Sequence, residues 1–92
     1  MGNRKKSSKT YQYKIAQTEL NVDGVSYADL GKYNEALEYF NRAVEIEPNN
    51  FISYFNRASI KMHFGDIEGA RLDFKHSEKL AEKSYSNNYS IL

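Results

Sequence analysis

The 92-residue sequence contains no cysteine, no tryptophan, a single proline and only five glycines. The absence of cysteine excludes disulfides, thiolate metal ligands and a cysteine nucleophile, and it fits the cytoplasmic location that we expect. No uninterrupted apolar run approaches the roughly 20 residues of a membrane-spanning helix, and no apolar segment of a secretory signal follows the basic N-terminus. We therefore expect a soluble protein with one small domain.

Charge is unevenly distributed along the chain, although the net charge is only +1. Residues 1–14 carry five cations and no acid, whereas residues 15–92 carry eight Lys or Arg against all twelve Asp and Glu. Residues 1–10 also contain no apolar residue after Met1. We predict that residues 1–10 form a disordered basic arm attached to a mildly acidic body.

Three roles are open for the basic arm. It can be a solubilising tail, it can contact an anionic partner such as RNA or a membrane surface, or Gly2 can be N-myristoylated. The solubilising role is favoured over nucleic-acid binding. Membrane binding is expected only if Gly2 is lipidated, because each nearby cation adds only about 1 kcal/mol at a membrane.

Residues 17–50 and 51–84 are two consecutive copies of one 34-residue pattern. Apolar or small residues recur at matching positions of both copies. The matched pairs are Leu20 and Tyr54, Gly24 and Ala58, Leu30 and Phe64, Gly31 and Gly65, Tyr33 and Ile67, Ala36 and Ala70, Phe40 and Phe74, Ala43 and Ser77, and Ile46 and Leu80. Repetition at this period is typical of a solenoid of supersecondary units, which presents an extended binding surface.

Steps of three and four residues between the apolar positions indicate amphipathic helices. Gly31 and Gly65 are suited to end a helix, because glycine accepts the left-handed conformation at a helix C-terminus. Asn50 and Asp66 are predicted N-caps, whereas Lys32 occupies the same place in the first copy and cannot cap. We predict an all-α chain with helices at residues 15–30, 34–47, 51–64 and 67–83.

Taken together, these positions resemble the tetratricopeptide repeat family. Its consensus places Leu or an aromatic residue, Gly or Ala, Tyr, Gly-x-Tyr-x-x-Ala, an aromatic residue, Ala and Pro at fixed offsets. The first copy reads Leu20, Gly24, Tyr27, Gly31, Tyr33, Ala36, Phe40, Ala43 and Pro48. The second reads Tyr54, Ala58, Lys61, Gly65, Ile67, Ala70, Phe74, Ser77 and Glu82, and it departs from the consensus at Lys61, Ser77 and Glu82.

The resemblance implies a right-handed α-α superhelix of two helix-turn-helix units. The repeat domain would span residues 11–84, with residues 85–92 as a tail that can partly cap the last helix. In this family the first helix of each pair lines a concave groove that holds a peptide or a partner helix. The implied groove positions are Thr18, Asn21, Val25, Ala28 and Asp29 in the first copy, and Ile52, Phe55, Asn56, Ser59, Met62 and His63 in the second.

From these observations we predict a non-enzymatic adaptor that binds a protein or peptide partner in the groove. No nucleophile motif, phosphate loop, dinucleotide fingerprint or metal-ligand spacing is present in the sequence, so we predict neither catalytic residues nor a cofactor. His63 and His76 are expected to face solvent. We also predict a homodimer through exposed repeat faces, because about three repeats are the usual minimum for stability.

A carboxylate-binding role is an alternative use of the same groove. The segment from Tyr54 to Ala58 resembles that of co-chaperones which clamp the acidic C-terminal tails of heat-shock chaperones. In those proteins the asparagine at the position of Asn56 helps to hold the terminal carboxylate. The Lys and Asn expected in the first helix are replaced by Asn21 and Val25, so the clamp is incomplete.

Overall fold

The computed structural model describes the backbone of residues 2–89 and the side chains of residues 11–85. It contains the helices α1 (Gly2–Asp29), α2 (Tyr33–Ile46), α3 (Phe51–His63) and α4 (Ile67–Tyr89), and no strand among the described residues. Short turns join α1 to α2 and α3 to α4, so each pair is an antiparallel hairpin. Within the described part of the chain α4 packs against α3 alone, while α3 also contacts α1 and α2. The predicted all-α repeat architecture is confirmed.

The helix ends inside the repeats follow the predicted chemistry. Gly31 and Gly65 have φ values of +77° and +80°, which side chains with a Cβ rarely adopt. The N–H of Lys32 donates to the carbonyl oxygen of Tyr27 at 2.8 Å, and the N–H of Asp66 donates to that of Lys61 at 2.9 Å. This bonding five residues back satisfies carbonyls of the last turns of α1 and α3.

The helix starts also agree with the predicted caps. The side chain of Asn50 accepts the backbone N–H of Ile52 at 2.9 Å, and Asp66 Oδ1 accepts that of Gly69 at 3.0 Å. Lys32, in front of α2, makes no capping hydrogen bond through its side chain. The first turn of α2 is consequently held by packing rather than by a cap.

The two outer helices are longer than predicted. α1 begins at Gly2, so the backbone of residues 2–10, predicted to be disordered, is helical. α4 continues to Tyr89, so residues 85–89 prolong its axis instead of folding back as a cap, and residues 90–92 lie outside the described residues. Neither Gly nor Pro interrupts residues 3–23 or follows Gly69. Adding residues to a helix that packing has already nucleated costs little.

The core lies where the hairpins cross. Ala36, Ala58 and Ala70 are completely buried, and Phe40 fills the space beside them. Ala36, Phe40 and Ile60 form one cluster across the two repeats. These small positions let the helices approach closely, as their spacing in the sequence predicts.

The second repeat replaces an aromatic pair by charged side chains. In the first repeat the Tyr27 and Tyr39 rings stack with centroids 5.1 Å apart. The positions 34 residues further on are Lys61 and Asp73, whose Nζ and Oδ2 atoms lie 2.9 Å apart. Arg57 completes the cluster with two hydrogen bonds to the Asp73 carboxylate, of 2.8 and 2.9 Å. The departure from the consensus at Lys61 is therefore compensated by its partner on α4.

The other two departures also have local explanations. Ser77 replaces the buried Ala43 of the first repeat and donates its hydroxyl to the carbonyl oxygen of Phe51 at 2.8 Å. Glu82 is exposed and stands where the first repeat has Pro48. Because a proline would interrupt the hydrogen bonding of a helix interior, its absence allows α4 to continue.

We predict that Gly24→Ala destabilises the protein by about 1 kcal/mol, although alanine favours helix. A Cβ at residue 24 would overlap the Phe40 ring, with the ring Cδ1 atom only 2.8 Å away. Overpacking costs about 1–3 kcal/mol, against about 1 kcal/mol gained in helix propensity. Urea denaturation measures the change. In a Phe40→Leu background the same substitution should be neutral or stabilising, and an increase in stability in the wild-type background would contradict this account.

Asp73 gives the fold an acid-sensitive component. Burial by itself raises the pKa of its carboxyl, but the hydrogen bonds from Arg57 and Lys61 outweigh burial and hold the pKa below its ordinary value. A carboxyl with a lowered pKa contributes fully to stability above its unfolded-state pKa, near 3.9. That contribution is lost as the pH falls through the lower pKa of the folded state.

We therefore expect Asp73→Asn to lower the free energy of unfolding by about 2 kcal/mol at pH 7. The difference from wild type should shrink in urea titrations at progressively lower pH, from about pH 4 downward. Glu38→Gln on the exposed side of α2 is the matched control and should change stability by less than about 0.5 kcal/mol. A difference independent of pH would show that the charge of Asp73 is not responsible.

Candidate functional site: the groove between α1 and α3

A concave groove of about 460 Å³ separates the first helices of the two hairpins. It is lined by Gln17, Thr18, Asn21, Val22, Val25 and Ser26 of α1, by Ile52 and Asn56 of α3, and by Asn50 just before α3. None of these side chains carries a charge. The volume lies within the range of ordinary ligand-binding pockets, and the groove is open to solvent rather than enclosed.

A polar network centred on Ser53 forms the floor of the groove. Ser53 is fully buried, and Gln17 and Asn21 are nearly so. The hydroxyl oxygen of Ser53 accepts hydrogen bonds from Gln17 Nε2 at 2.8 Å and from Asn21 Nδ2 at 2.9 Å. Two buried amides of α1 are thus tied to one atom of α3, and this fixes the spacing of the helices.

Two further amides extend the network toward solvent. Asn50 Nδ2 donates to Gln17 Oε1 at 3.2 Å, and Asn56 Nδ2 donates to Asn21 Oδ1 at 3.3 Å. No buried polar side-chain atom in the described part of the chain lacks a partner. A satisfied polar network of this kind rigidifies its surroundings.

Apolar side chains form the walls above this floor. Val22, Val25 and Ile52 are about half exposed and face the groove from both helices. Their methyl groups are available to cover apolar side chains of a bound segment. The groove therefore combines an amide floor with aliphatic walls.

The structure brings together part of the set predicted from the sequence. Of those residues, Thr18, Asn21, Val25, Ile52 and Asn56 line the groove. Asn21 is buried in the floor rather than offered on the surface, because Ser53 and Asn56 both bond to it.

Sequence reasoning missed four lining residues, namely Gln17, Val22, Ser26 and Asn50. Val22, Val25 and Ser26 follow each other at three- and one-residue steps on α1, and that stripe was visible in the sequence. The inward amide of Gln17 carried no comparable signal. Asn50 was predicted only as the N-cap of α3. Its side-chain oxygen accepts the N–H of Ile52 as that cap, and its side-chain nitrogen donates to Gln17 in the network.

The remaining predicted residues lie outside the groove lining. The ring of Phe55 meets that of Phe74 on α4 edge-on, with centroids 5.3 Å apart. His63 is exposed but stacks on Tyr33 of α2 with centroids 3.5 Å apart, and Ala28 packs against the core cluster. Asp29, Ser59 and Met62 are exposed beside the groove. The predicted set extends along both helices beyond the residues that line the groove.

The groove offers no cation to a carboxylate. Its lining is uncharged. Lys14 lines a neighbouring depression, but Glu47 shares that depression with it. The geometry therefore favours an uncharged segment over an acidic tail.

The described residues contain no group of three or more His, Asp or Glu side chains placed to hold a metal ion. None of their helices is long and apolar enough to cross a membrane.

The sequence is similar to the tetratricopeptide repeats of known proteins. Sequence models of the tetratricopeptide repeat match residues 19–50 and 39–71. The chain is 38% identical over 63 residues to Tetratricopeptide repeat protein 36 of Danio rerio, an alignment covering 68% of this chain and 34% of that protein. It is 32% identical over 69 residues to DnaJ homolog subfamily C member 3 of Homo sapiens, covering 67% and 14%.

A third relative is a TPR repeat-containing protein of Borreliella burgdorferi, 46% identical over 35 residues, which cover 38% of this chain and 15% of that protein. The chain thus spans about a third or less of the length of these relatives. No solved structure gives a significant match.

We predict that Ser53→Ala destabilises the protein by about 1–3 kcal/mol, because it leaves the buried amides of Gln17 and Asn21 without their shared acceptor. Ser59→Ala is the matched control on the same helix, since the exposed Ser59 hydroxyl only donates back to the carbonyl oxygen of Phe55. Urea denaturation should separate the two variants clearly. Equal, small effects would show that the network does not hold the repeats together.

Proposed function

The chain belongs to the tetratricopeptide repeat family, and from that premise we propose that its groove binds a segment of a partner protein. Repeats of this family generally mediate protein–protein interaction. The observation that carries the proposal is the open, uncharged groove between α1 and α3, with its amide floor and aliphatic walls.

The chemistry of the groove indicates which segments fit. Val22, Val25 and Ile52 present methyl groups to apolar side chains. Asn56 donates one side-chain N–H to Asn21. Its second N–H and its side-chain oxygen can therefore bond to the main chain of a bound segment. We infer an uncharged partner segment with aliphatic side chains, in preference to an acidic C-terminal tail.

We further propose that the protein acts as an adaptor without enzymatic activity, and that it self-associates. The absence of catalytic activity is supported by the family, whose members are generally scaffolds. Self-association is supported by exposed apolar side chains on α3 and α4 outside the groove, including Phe55, Met62 and Ile67.

The groove proposal is tested by introducing charge into its walls. In a Val25→Asp, Ile52→Asp double variant, partner binding requires the burial of carboxylates against apolar groups, which costs several kcal/mol. Partner recovery in a pull-down with quantitative mass spectrometry should fall at least tenfold. Leu72→Asp is the matched control, because Leu72 is exposed on α4 and its counterpart in the first repeat is already the acid Glu38.

Circular dichroism must show that the double variant remains folded. If it is folded and still captures the same proteins as the Leu72→Asp control, the groove is not the binding surface. A synthetic neutral aliphatic peptide should also bind more tightly than an acidic peptide with a free C-terminal carboxylate. The reverse order would restore the carboxylate-clamp interpretation.

A further inference from the structure

The contact between the two repeats shows how one repeat of this chain packs on the surface of another. Repeat 2 meets repeat 1 through one side of α3, which we call the leading side. Its side chains pair Ser53 with Gln17 and Asn21, Asn56 with Asn21, Arg57 with Asn41, and His63 with Tyr33. The surface of repeat 1 that receives them is its trailing side.

Positions 34 residues away are equivalent in the two repeats, so each side has a counterpart on the other repeat. These counterparts are the leading side of repeat 1 and the trailing side of repeat 2, and nothing in the described structure covers either of them. The leading side of repeat 1 consists of Glu19, Val22, Asp23 and Asp29 on α1, the counterparts of Ser53, Asn56, Arg57 and His63, and all four are exposed. The trailing side of repeat 2 includes Phe55, Ile67 and Lys75, the counterparts of Asn21, Tyr33 and Asn41.

The trailing side of repeat 2 is far more apolar and more exposed than its counterpart. Asn21 is 7% exposed, whereas Phe55 in the same position is 54% exposed, and Ile67 is 57% exposed where Tyr33 is partly buried. Met62, the counterpart of Ala28, is 47% exposed. A polar joint in the first repeat thus corresponds to an uncovered apolar patch in the second.

We propose that a second copy of this chain covers this patch with the leading side of its own repeat 1, in the same register that joins the two repeats within the chain. This contact rests on the self-association proposed above and specifies its geometry. In this register Val22 of one copy lies against Phe55 of the next. This pair is equivalent to the Asn56–Asn21 contact within the chain. The solenoid then continues from copy to copy.

The charges of the two sides support this occupant. The leading side of repeat 1 carries three acids, Glu19, Asp23 and Asp29, and the trailing side of repeat 2 carries the exposed cation Lys75, whereas the nearby Arg71 is paired with Glu68. Arg57 Nη1 donates to Asn41 Oδ1 at 3.2 Å between the repeats. The equivalent pair between copies is Asp23 with Lys75, which has opposite charges.

The same charges disfavour a two-fold symmetric contact. Pairing either side with itself would bring acids against acids or cations against cations, since an isologous interface joins identical patches. Only the heterologous, head-to-tail arrangement brings the acidic side to the basic one. Such a contact leaves an unpaired side at each end of a two-copy assembly, so further copies can add and the average mass should rise with concentration.

Charge reversal at the two ends of the proposed pair tests the arrangement. We would measure weight-average mass by sedimentation equilibrium at low salt, from micromolar to several hundred micromolar protein. Wild type should exceed the 10.7 kDa of the single chain and grow with concentration. Asp23→Lys and Lys75→Asp should each need at least tenfold more protein to associate. The double variant, and an equimolar mixture of the two single variants, should recover association because opposite charges meet again.

Glu38→Lys on the exposed outer side of α2 is the control and should behave as wild type. Association that ignores both reversals, or that the mixture does not restore, overturns the head-to-tail contact but leaves self-association standing. A 10.7 kDa monomer at every concentration overturns both. Val22 belongs to both surfaces, but the groove test changes Val25 and Ile52, so its outcome is separate from that of the charge reversals.

The lack of cysteine in the chain allows a second measurement that does not depend on electrostatics. A Val22→Cys protein mixed with a Phe55→Cys protein should form mixed disulfide dimers at least severalfold faster than either protein alone forms its own. Equal rates for the mixture and for the separate proteins would overturn the proposed register.

Discussion

The spacing of the two hairpins depends on one hydroxyl oxygen. Ser53 accepts the amides of both Gln17 and Asn21, and the cost of leaving those buried donors unpaired holds α3 at a fixed distance from α1. The width of the groove between α1 and α3 follows from that distance. The cluster of Ala36, Phe40 and Ile60 buries apolar surface between the repeats. The hydrogen bonds of Ser53 to Gln17 and Asn21 set the position of α3 relative to α1.

Much of the fold was accessible from the sequence because it follows from local chemistry. Gly31 and Gly65, Asn50 and Asp66 marked helix ends through backbone preferences that depend on few neighbours. The lengths of α1 and α4 were underestimated, because composition at residues 1–10 was given more weight than the absence of any helix breaker. Secondary structure was thus predictable where a residue stops a helix, and less so where nothing does.

The candidate site was only partly predictable, since helical periodicity gives the direction of a side chain but not what stands opposite. The family resemblance places Asn21 in the groove, and only the three-dimensional structure shows that its amide bonds to the buried Ser53. Phe55, on the equivalent turn, points to α4 instead of the groove. Likewise Lys61 looked like a defect in the second repeat until Asp73 and Arg57 were seen beside it.

The joint at Ser53 has a mechanical consequence. Hydrogen bonds weaken steeply once distance or angle departs from the optimum. A movement that spreads the two hairpins must lengthen both amide bonds to Ser53, and with them the Asn50–Gln17, Asn56–Asn21 and Arg57–Asn41 bonds. These bonds therefore resist widening of the groove when a segment enters it.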